Sequence, residues 1–348
     1  MKIVISTVQA PFVSGGAEFL ATNLKSALIR EGHEVEIVTM PFMDSSSAMI
    51  ENHIIAARLM NLSNSWAGKV DLNIGLKFPA YYIPHPNKVI WALHQHRASY
   101  DLFDTEYSNI KDDLDGRYIK NVIKNADNRY LKEAKRIFTI SQNVTNRMTK
   151  YNKISSKPLY HPCPDMEKFY CTDYSNYILM PSRINITKRQ MLALEAMCYT
   201  KSDIQLYIVG KADNEAEKEK LLSFIKEHKL QKKVQYFDFV TQEKKFELYA
   251  RAKAVLFVPK DEDYGYITLE AMASSKAFIT AKDSGGPLEF AVDKENAFIA
   301  EPEPKQLAEI IDEFANSKHL AKEMGVKSKK HLQEMNITWG NVVKELTK

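Results

Sequence analysis

Glu262 and Glu270 stand in the segment "EDYGYITLE" with seven residues between them, and Gly285-Gly286-Pro287 follows fifteen residues after the second carboxylate. Ionised carboxylates only accept hydrogen bonds, so a spaced pair suits a ligand rich in hydroxyls. Glu262 reads as a loop residue after the apolar run "AVLFVP", and the next helix is expected to start near Tyr266, with Glu270 one turn inside it. Helical side chains lean toward the N-terminus, which turns both carboxylates to the same end. Gly265 permits close backbone approach, and the amides of Tyr264, Gly265, Tyr266, Ile267 and Thr268 at a helix start suit an anion. Taken alone, the two glutamates read equally well as a solvated loop residue and a complement to a helix dipole.

A second set of charges shifts that balance. "PSRINITKRQM" puts Arg183 in the loop after an expected strand at 176–180 and Lys188 five residues later, opening the next helix. Such a cation pair neutralises a diphosphate, arginine by a fork of donors and lysine as a point charge. With the carboxylates it makes a recognition set for a sugar nucleotide. Further upstream, "FVSGGAEF" follows the first strand, and its Gly15 and Gly16 serve either a tight strand-to-helix turn or the close approach of a ligand. It is not the G-x-G-x-x-G fingerprint, so a nicotinamide dehydrogenase is disfavoured. In "WALHQHRASYD" a strand ends with His94 and His96, which would share a face; either one pointing from the strand end could bond a sugar hydroxyl. No further cluster has metal-ligand spacing, so a metal site is discounted.

The elements that must position these residues alternate along the whole chain. "KIVISTV" (2–8), a helix over 15–33 with Leu20, Leu24, Ala27 and Leu28 on one face, and "EVEIVTM" (34–40) form one βαβ unit. Similar units run on to 152. A proline-rich connection at 157–169 precedes a second α/β series, which predicts two doubly wound Rossmann-like domains facing across a cleft, 1–165 and 166–334. A last helix at 335–348 needs a surface for Trp339. The 348 residues, 45% of them hydrophobic, suffice for two such cores. The 48 basic and 44 acidic residues nearly balance, which excludes a nucleic-acid binder by composition. Cys163, Cys171 and Cys198 form no C-x-x-C pair and read as buried thiols. The absence of a long apolar run or a signal-like leader gives a cytoplasmic expectation.

Gly-Gly-Ala-Glu near the N-terminus, Arg183 with Lys188, the E-x7-E of Glu262 and Glu270, and "SGGPLEF" together resemble the retaining glycosyltransferases of family 4, with the GT-B fold. "LHQHRASYDLF" and "TISQNVTNRMTKYN" are similar to a bacterial subgroup of polysaccharide assembly. The resemblance implies that Arg183 and Lys188 hold the donor diphosphate, Glu270 the ribose hydroxyls and Glu262 the transferred sugar. It also implies that backbone amides from Tyr264 to Thr268 hold sugar and phosphate, that Gly15 and Gly16 make room for phosphate, and that His94 sits near the reacting carbon. Tyr264 stands where phenylalanine is frequent, and Gln95 where an aspartate is often seen.

The activity so implied is transfer from a UDP- or GDP-sugar to a saccharide or lipid-linked saccharide acceptor, with retention and without a metal or other cofactor. Cationic side chains would take the place of a metal at the departing diphosphate. The "DED" at 261–263 reads as accidental. The rival readings are a sugar-nucleotide 2-epimerase or phosphorylase on the same scaffold, and a non-catalytic binding or scaffold protein. "YIKNVIKNADNRYLKEAKR" reads either as a solvated helix face or as one peripheral to a membrane.

Overall fold

The computed structural model describes residues 1–12, 15–43 and 46–348, so Val13 and Ser14 of the glycine motif and residues 44–45 lie outside the described residues. The chain divides into two compact units, Met1–Pro164 with Thr338–Lys348, and Asp165–Ile337. Each is a parallel sheet with helices, the architecture expected from the alternation of patterns.

The first unit opens with β1 (Lys2–Gln9), α1 (Gly16–Arg30), β2 (Glu34–Pro41) and α2 (Ser47–Leu59). A small hairpin of β3 (Asn64–Ser65) and β4 (Gly68–Lys69) leads into β5 (Leu72–Gly75) and β6 (Lys88–Ala92). Then come α3 (Leu114–Tyr130), β7 (Arg136–Thr139), α4 (Gln142–Asn152) and β8 (Lys157–Pro158). The sheet order is β2-β1-β5-β6-β7-β8, every pair parallel. Ile3 through Val8 of β1 are all buried, as a parallel strand covered on both faces requires. α1 buries Leu20, Ala21, Leu24, Ala27 and Leu28, one stripe of its surface.

The first unit also takes the chain's last helix, α11 (Trp339–Thr347). Thr338 caps its start by accepting from the Asn341 amide at 3.2 Å. Trp339 stacks on His161 at 5.9 Å and meets Trp91 edge-on at 6.4 Å. Arg136 donates to the carbonyls of Glu345 and Leu346, two acceptors that a helix end leaves unsatisfied.

At the centre of the first unit a carboxylate is fully buried. Asp127 of α3 accepts from the hydroxyls of Tyr81 (3.1 Å), Tyr82 (2.7 Å) and Tyr100 (2.7 Å). The amide of Asn152 donates to Tyr100 at 3.0 Å and to Asn128 at 2.8 Å. Gln95 donates to Asn152 in turn, so the network runs from α3 to the loop after β6. Burial pushes the Asp127 carboxyl up to about 6, against the lowering pull of the three tyrosine bonds.

The second unit contains β9 (Tyr177–Pro181), α5 (Gln190–Tyr199), β10 (Gln205–Val209), α6 (Glu215–Glu227), β11 (Val234–Phe237), α7 (Gln242–Arg251) and β12 (Ala254–Leu256). It continues with α8 (Tyr266–Ala273), β13 (Phe278–Ala281), β14 (Ala297–Ala300), α9 (Pro304–Asn316) and α10 (Lys318–Glu334). The order β11-β10-β9-β12-β13-β14 is 3-2-1-4-5-6 within the unit, the doubly wound dinucleotide-binding order. The strand order therefore reverses between β9 and β12.

Asp127 supplies a test of the first unit's core. Its folded value lies above the ordinary 3.8, so its contribution to stability is present at acid pH and lost as pH rises through about 6. In denaturant titrations, the stability of wild type minus that of Asp127→Asn should fall across that window, by roughly 1.4 kcal/mol for each unit of elevation. A difference that stays level from pH 4 to 7 would show that the buried carboxyl does not titrate there.

Candidate functional site

Three loops meet at the carboxyl ends of β9, β12 and β13. Lys260 donates its amide to the Thr187 carbonyl (2.7 Å), Asp261 to Asp283 (2.8 Å) and Glu262 to Ser284 (2.8 Å), and Gly286 returns a bond to Glu262 (2.8 Å). The loop after β10 joins through a parallel bridge of Ile184 with Ala212. Open α/β sheets bind ligands at this edge, at the point where strand order reverses. The segments with Arg183, Lys188 and Glu262 leave the two strands that flank that point.

Lys188 and Glu262 form an ion pair, with their side chains 16% and 25% exposed. The expected helix does not begin at Lys188. Instead Ile186–Lys188 forms a 3-10 turn, capped by Asn185, whose side chain accepts from the Lys188 amide at 3.1 Å. Arg189 then takes a left-handed conformation (φ 57°) before α5 starts at Gln190. The two cations take different carboxylate partners. Arg183 lies on the rim, 65% exposed, and donates to Asp213 at 3.0 Å.

Arg189 and Lys260 converge on Asp283, with Arg189 bonding both carboxylate oxygens at 2.8 and 2.6 Å and Lys260 at 2.9 Å. Burial pushes the Asp283 carboxyl up, but these cations outweigh it and hold it at about 2. The cluster is thus anchored by a carboxylate that ties the β9 and β12 loops to the β13 loop.

Glu270 lies one turn inside α8, as its spacing implied, but it is only 5% exposed. Its carboxylate accepts from Lys245 (2.6 Å) and the Tyr249 hydroxyl (2.6 Å), both on α7. Lys245 and Tyr249 are four residues apart on one helical face, a spacing that could have marked them. Sequence reading missed them, along with Asp213 and Asp283.

α8 starts at Tyr266 behind Gly265, which has φ 92°. A Cβ on Gly265 would meet Phe257 and Pro287 at 3.0 Å, and one on Gly286 would lie 2.7 Å from the Tyr264 carbonyl oxygen. Both glycines are therefore demanded by close packing of the β12 and β13 loops. Tyr264 is buried against Tyr266 and Phe290 in edge contacts, and Ile267 follows in the first turn of α8. The Thr268 amide already donates to the Gly265 carbonyl at 3.0 Å, which removes it from the set of open helix-start donors.

In the first unit, Gly15 caps α1 and donates its amide to Glu18 at 2.7 Å, with Gly16 as the first helical residue. A Cβ at Gly15 would meet only Glu18, at an ordinary 3.7 Å, so no described neighbour requires glycine there. His94 and His96 do not share a strand face, because β6 ends at Ala92. His94 is half-buried, its Nδ1 2.6 Å from the Gln95 carbonyl. His96 is buried against Phe78 (5.0 Å) and Phe42 (6.2 Å), a structural position. Among the described residues no three His, Cys, Asp or Glu side chains converge to hold a metal ion, and no helix is long and apolar enough to cross a membrane.

Two parallel-sheet α/β units of this kind define the GT-B fold. Residues 167–331, within the second unit, match the model of the family described as glycosyl transferases group 1, in agreement with the resemblance carried by the motifs. The mouse alpha-1,3/1,6-mannosyltransferase ALG2 is 29% identical over 136 residues, 38% of this chain and 32% of that protein, so the match spans about a third of the relative. The structure of Anabaena Alr3699/HepE in complex with UDP and glucose superposes with a TM-score of 0.74 at 16% identity, covering 99% of this chain and 98% of that one. Sucrose-phosphate synthase from Thermosynechococcus elongatus gives 0.79 at 14% identity, with 99% and 97% covered. At these identities the structures share the fold.

Gly286 gives a direct test of the loop packing. Gly286→Ala must push the Tyr264 backbone away, and unfolding measurements should show a loss of about 1–3 kcal/mol. A stability within 0.5 kcal/mol of wild type, roughly the range of an ordinary surface change, would mean the β12 and β13 loops are not held this tightly.

Proposed function

We propose that the protein is a retaining glycosyltransferase that moves a sugar from a nucleoside-diphosphate sugar to a saccharide or lipid-linked saccharide acceptor in glycan assembly, without a metal. The carrying observation is the Lys188–Glu262 pair at the strand-order reversal, a cation and a carboxylate supplied by different strands beside a glycine-opened helix start. Lys188 and the rim Arg183 suit a diphosphate, and Glu262 suits the hydroxyls of a sugar attached to it. HepE, of the same fold, has been crystallised with UDP and glucose, and ALG2 is a mannosyltransferase, which supports the donor class.

In this reading Glu270 accepts from ribose hydroxyls. Lys245 and Tyr249 hold its carboxylate in one orientation, so little order need be gained on binding. The donor must part Lys188 from Glu262, because each has its partner in the other before the donor arrives. As the bond from the sugar's anomeric carbon to the phosphate oxygen breaks, charge builds on the diphosphate and Lys188 and Arg183 stabilise it. The acceptor oxygen attacks the same face of the sugar and its proton passes to the departing phosphate, which keeps the anomeric configuration. Glu262 orients the sugar and does not attack it. His94 is assigned by family resemblance alone, and its substitution is a test separate from those in the second unit.

Calorimetric titration in EDTA with UDP, GDP and their sugar conjugates tests this assignment. Wild type should bind one nucleotide series without metal, and Arg183→Ala/Lys188→Ala should weaken it at least 100-fold, roughly 2.7 kcal/mol. Glu262→Gln should bind the bare nucleoside diphosphate at least as tightly as wild type, since Lys188 is released, while losing the extra affinity for the sugar conjugate. A folded protein that binds none of these ligands would overturn the transferase reading.

A further inference from the structure

Away from these loops the second unit encloses another pair of reactive side chains. Lys276, in the turn between α8 and β13, is fully buried. Its Nζ lies 3.2 Å from Cys171 Sγ, donates to the carbonyl of Asp173, and stands 3.9 Å from the centroid of the Tyr174 ring. A lysine at such depth ordinarily pairs with a carboxylate; this one is met by a thiol, a carbonyl and a ring face.

The surrounding backbone holds the pair in place. Tyr174 donates its hydroxyl to the Ser275 carbonyl at 3.0 Å, and Thr172 and Asp173 bond the Ala250 carbonyl at 3.0 and 3.2 Å. Gly325 of α10 packs so closely on Ser275 that a Cβ there would lie 2.1 Å from its carbonyl oxygen. Burial lowers the proton affinity of Lys276, with the neighbouring thiol and Asp173 opposing that trend. Cys171 itself is half-buried and within reach of a small oxidant.

We propose that Cys171 and Lys276 are a redox modification site at which a peroxide drives formation of a covalent sulfur–nitrogen bond. In the first step the Cys171 sulfur attacks one peroxide oxygen, the O–O bond breaks, and sulfenic acid and water result. In the second, the Lys276 nitrogen attacks that sulfur, the S–O bond breaks, and the hydroxyl leaves as water with a proton from the nitrogen. Sulfur is oxidised by two electrons and the peroxide reduced by two; one thiol, one amine and one hydrogen peroxide give one S–N bond and two waters. Sulfenic acids condense with a neighbouring nitrogen in this way when one is held against them. The 3.2 Å separation lies within the approach distance of about 3–3.5 Å from which such attack proceeds. The bond would join the chain ahead of β9 to the turn after α8, a sequence separation of 105 residues, and crosslinks across long loops stabilise the folded state.

The test is hydrogen peroxide treatment of the full chain, followed by peptide mass mapping and thermal unfolding. The expected product joins the Cys171 and Lys276 peptides at about 2 Da below their summed mass, disappears on thiol reduction, and raises Tm. Cys171→Ser and Lys276→Arg should each abolish the crosslink and the rise in Tm, the second because a guanidinium lacks the nucleophilic amine. The exposed Cys198, whose thiol bonds the Leu194 carbonyl, serves as an internal control for oxidation without bridging. Cys171 recovered as sulfinic acid, about 32 Da heavier, with Lys276 unmodified would overturn the proposal. So would an unreacted Cys171 under conditions that oxidise Cys198.

Discussion

A parallel sheet brings loops from two strands that are far apart in sequence to a common point only where its strand order reverses. In the second unit that happens between β9 and β12, and the Lys188–Glu262 ion pair is the chemical result. The two stand 74 positions apart in sequence, yet neighbouring strands deliver them to the same edge. The other features of the edge follow from holding that pair: Asp283 locks Arg189 and Lys260 behind it, and Gly265 and Gly286 let the β12 and β13 loops pack at backbone distance. A Cβ at either glycine would move Tyr264 or α8, and with them the site.

The two units spend buried charge differently. In the second unit, Asp283 and Glu270 are each matched to cations or a hydroxyl. In the first, Asp127 is surrounded by three tyrosine hydroxyls and, among the described residues, no cation bonds it, so burial raises its pKa. Neutral donors can satisfy a buried carboxylate's oxygens without cancelling its charge. What they gain is geometry: the network fixes the positions of Tyr100, Asn152 and Gln95 between α3, α4 and the loop that carries His94.

Much of the fold was legible because parallel strands are buried on both faces and so appear as unbroken apolar runs such as "KIVISTV" and "AVLFVP". The start of α8 was legible from Gly265. The start of α5 was not, since the left-handed Arg189 and the Asn185-capped turn carry no signal a helix pattern would show. Nor was the end of β6: "WALHQH" continues an apolar rhythm past Ala92, and only the packing of Phe42 and Phe78 shows that His96 belongs to the core. For the site, residue types and spacing picked out Lys188, Glu262 and Glu270, which the structure sets into one unit. Their partners came from elsewhere in the chain: Asp213 and Asp283 lie in loops after other strands, and Lys245 and Tyr249 on a neighbouring helix. Long-range pairing of that kind is a property of topology, and local pattern does not encode it.

In the proposed reaction the edge of the second unit exchanges its internal ion pair for a sugar nucleotide. A crystal structure of the protein grown with a nucleoside-diphosphate sugar measures this most directly. The expected result is the diphosphate at the β9–β12 edge, Lys188 moved from Glu262 onto a phosphate oxygen, and Glu262 accepting from hydroxyls of the sugar. A nucleotide bound elsewhere, or bound there with the Lys188–Glu262 pair intact, would contradict it.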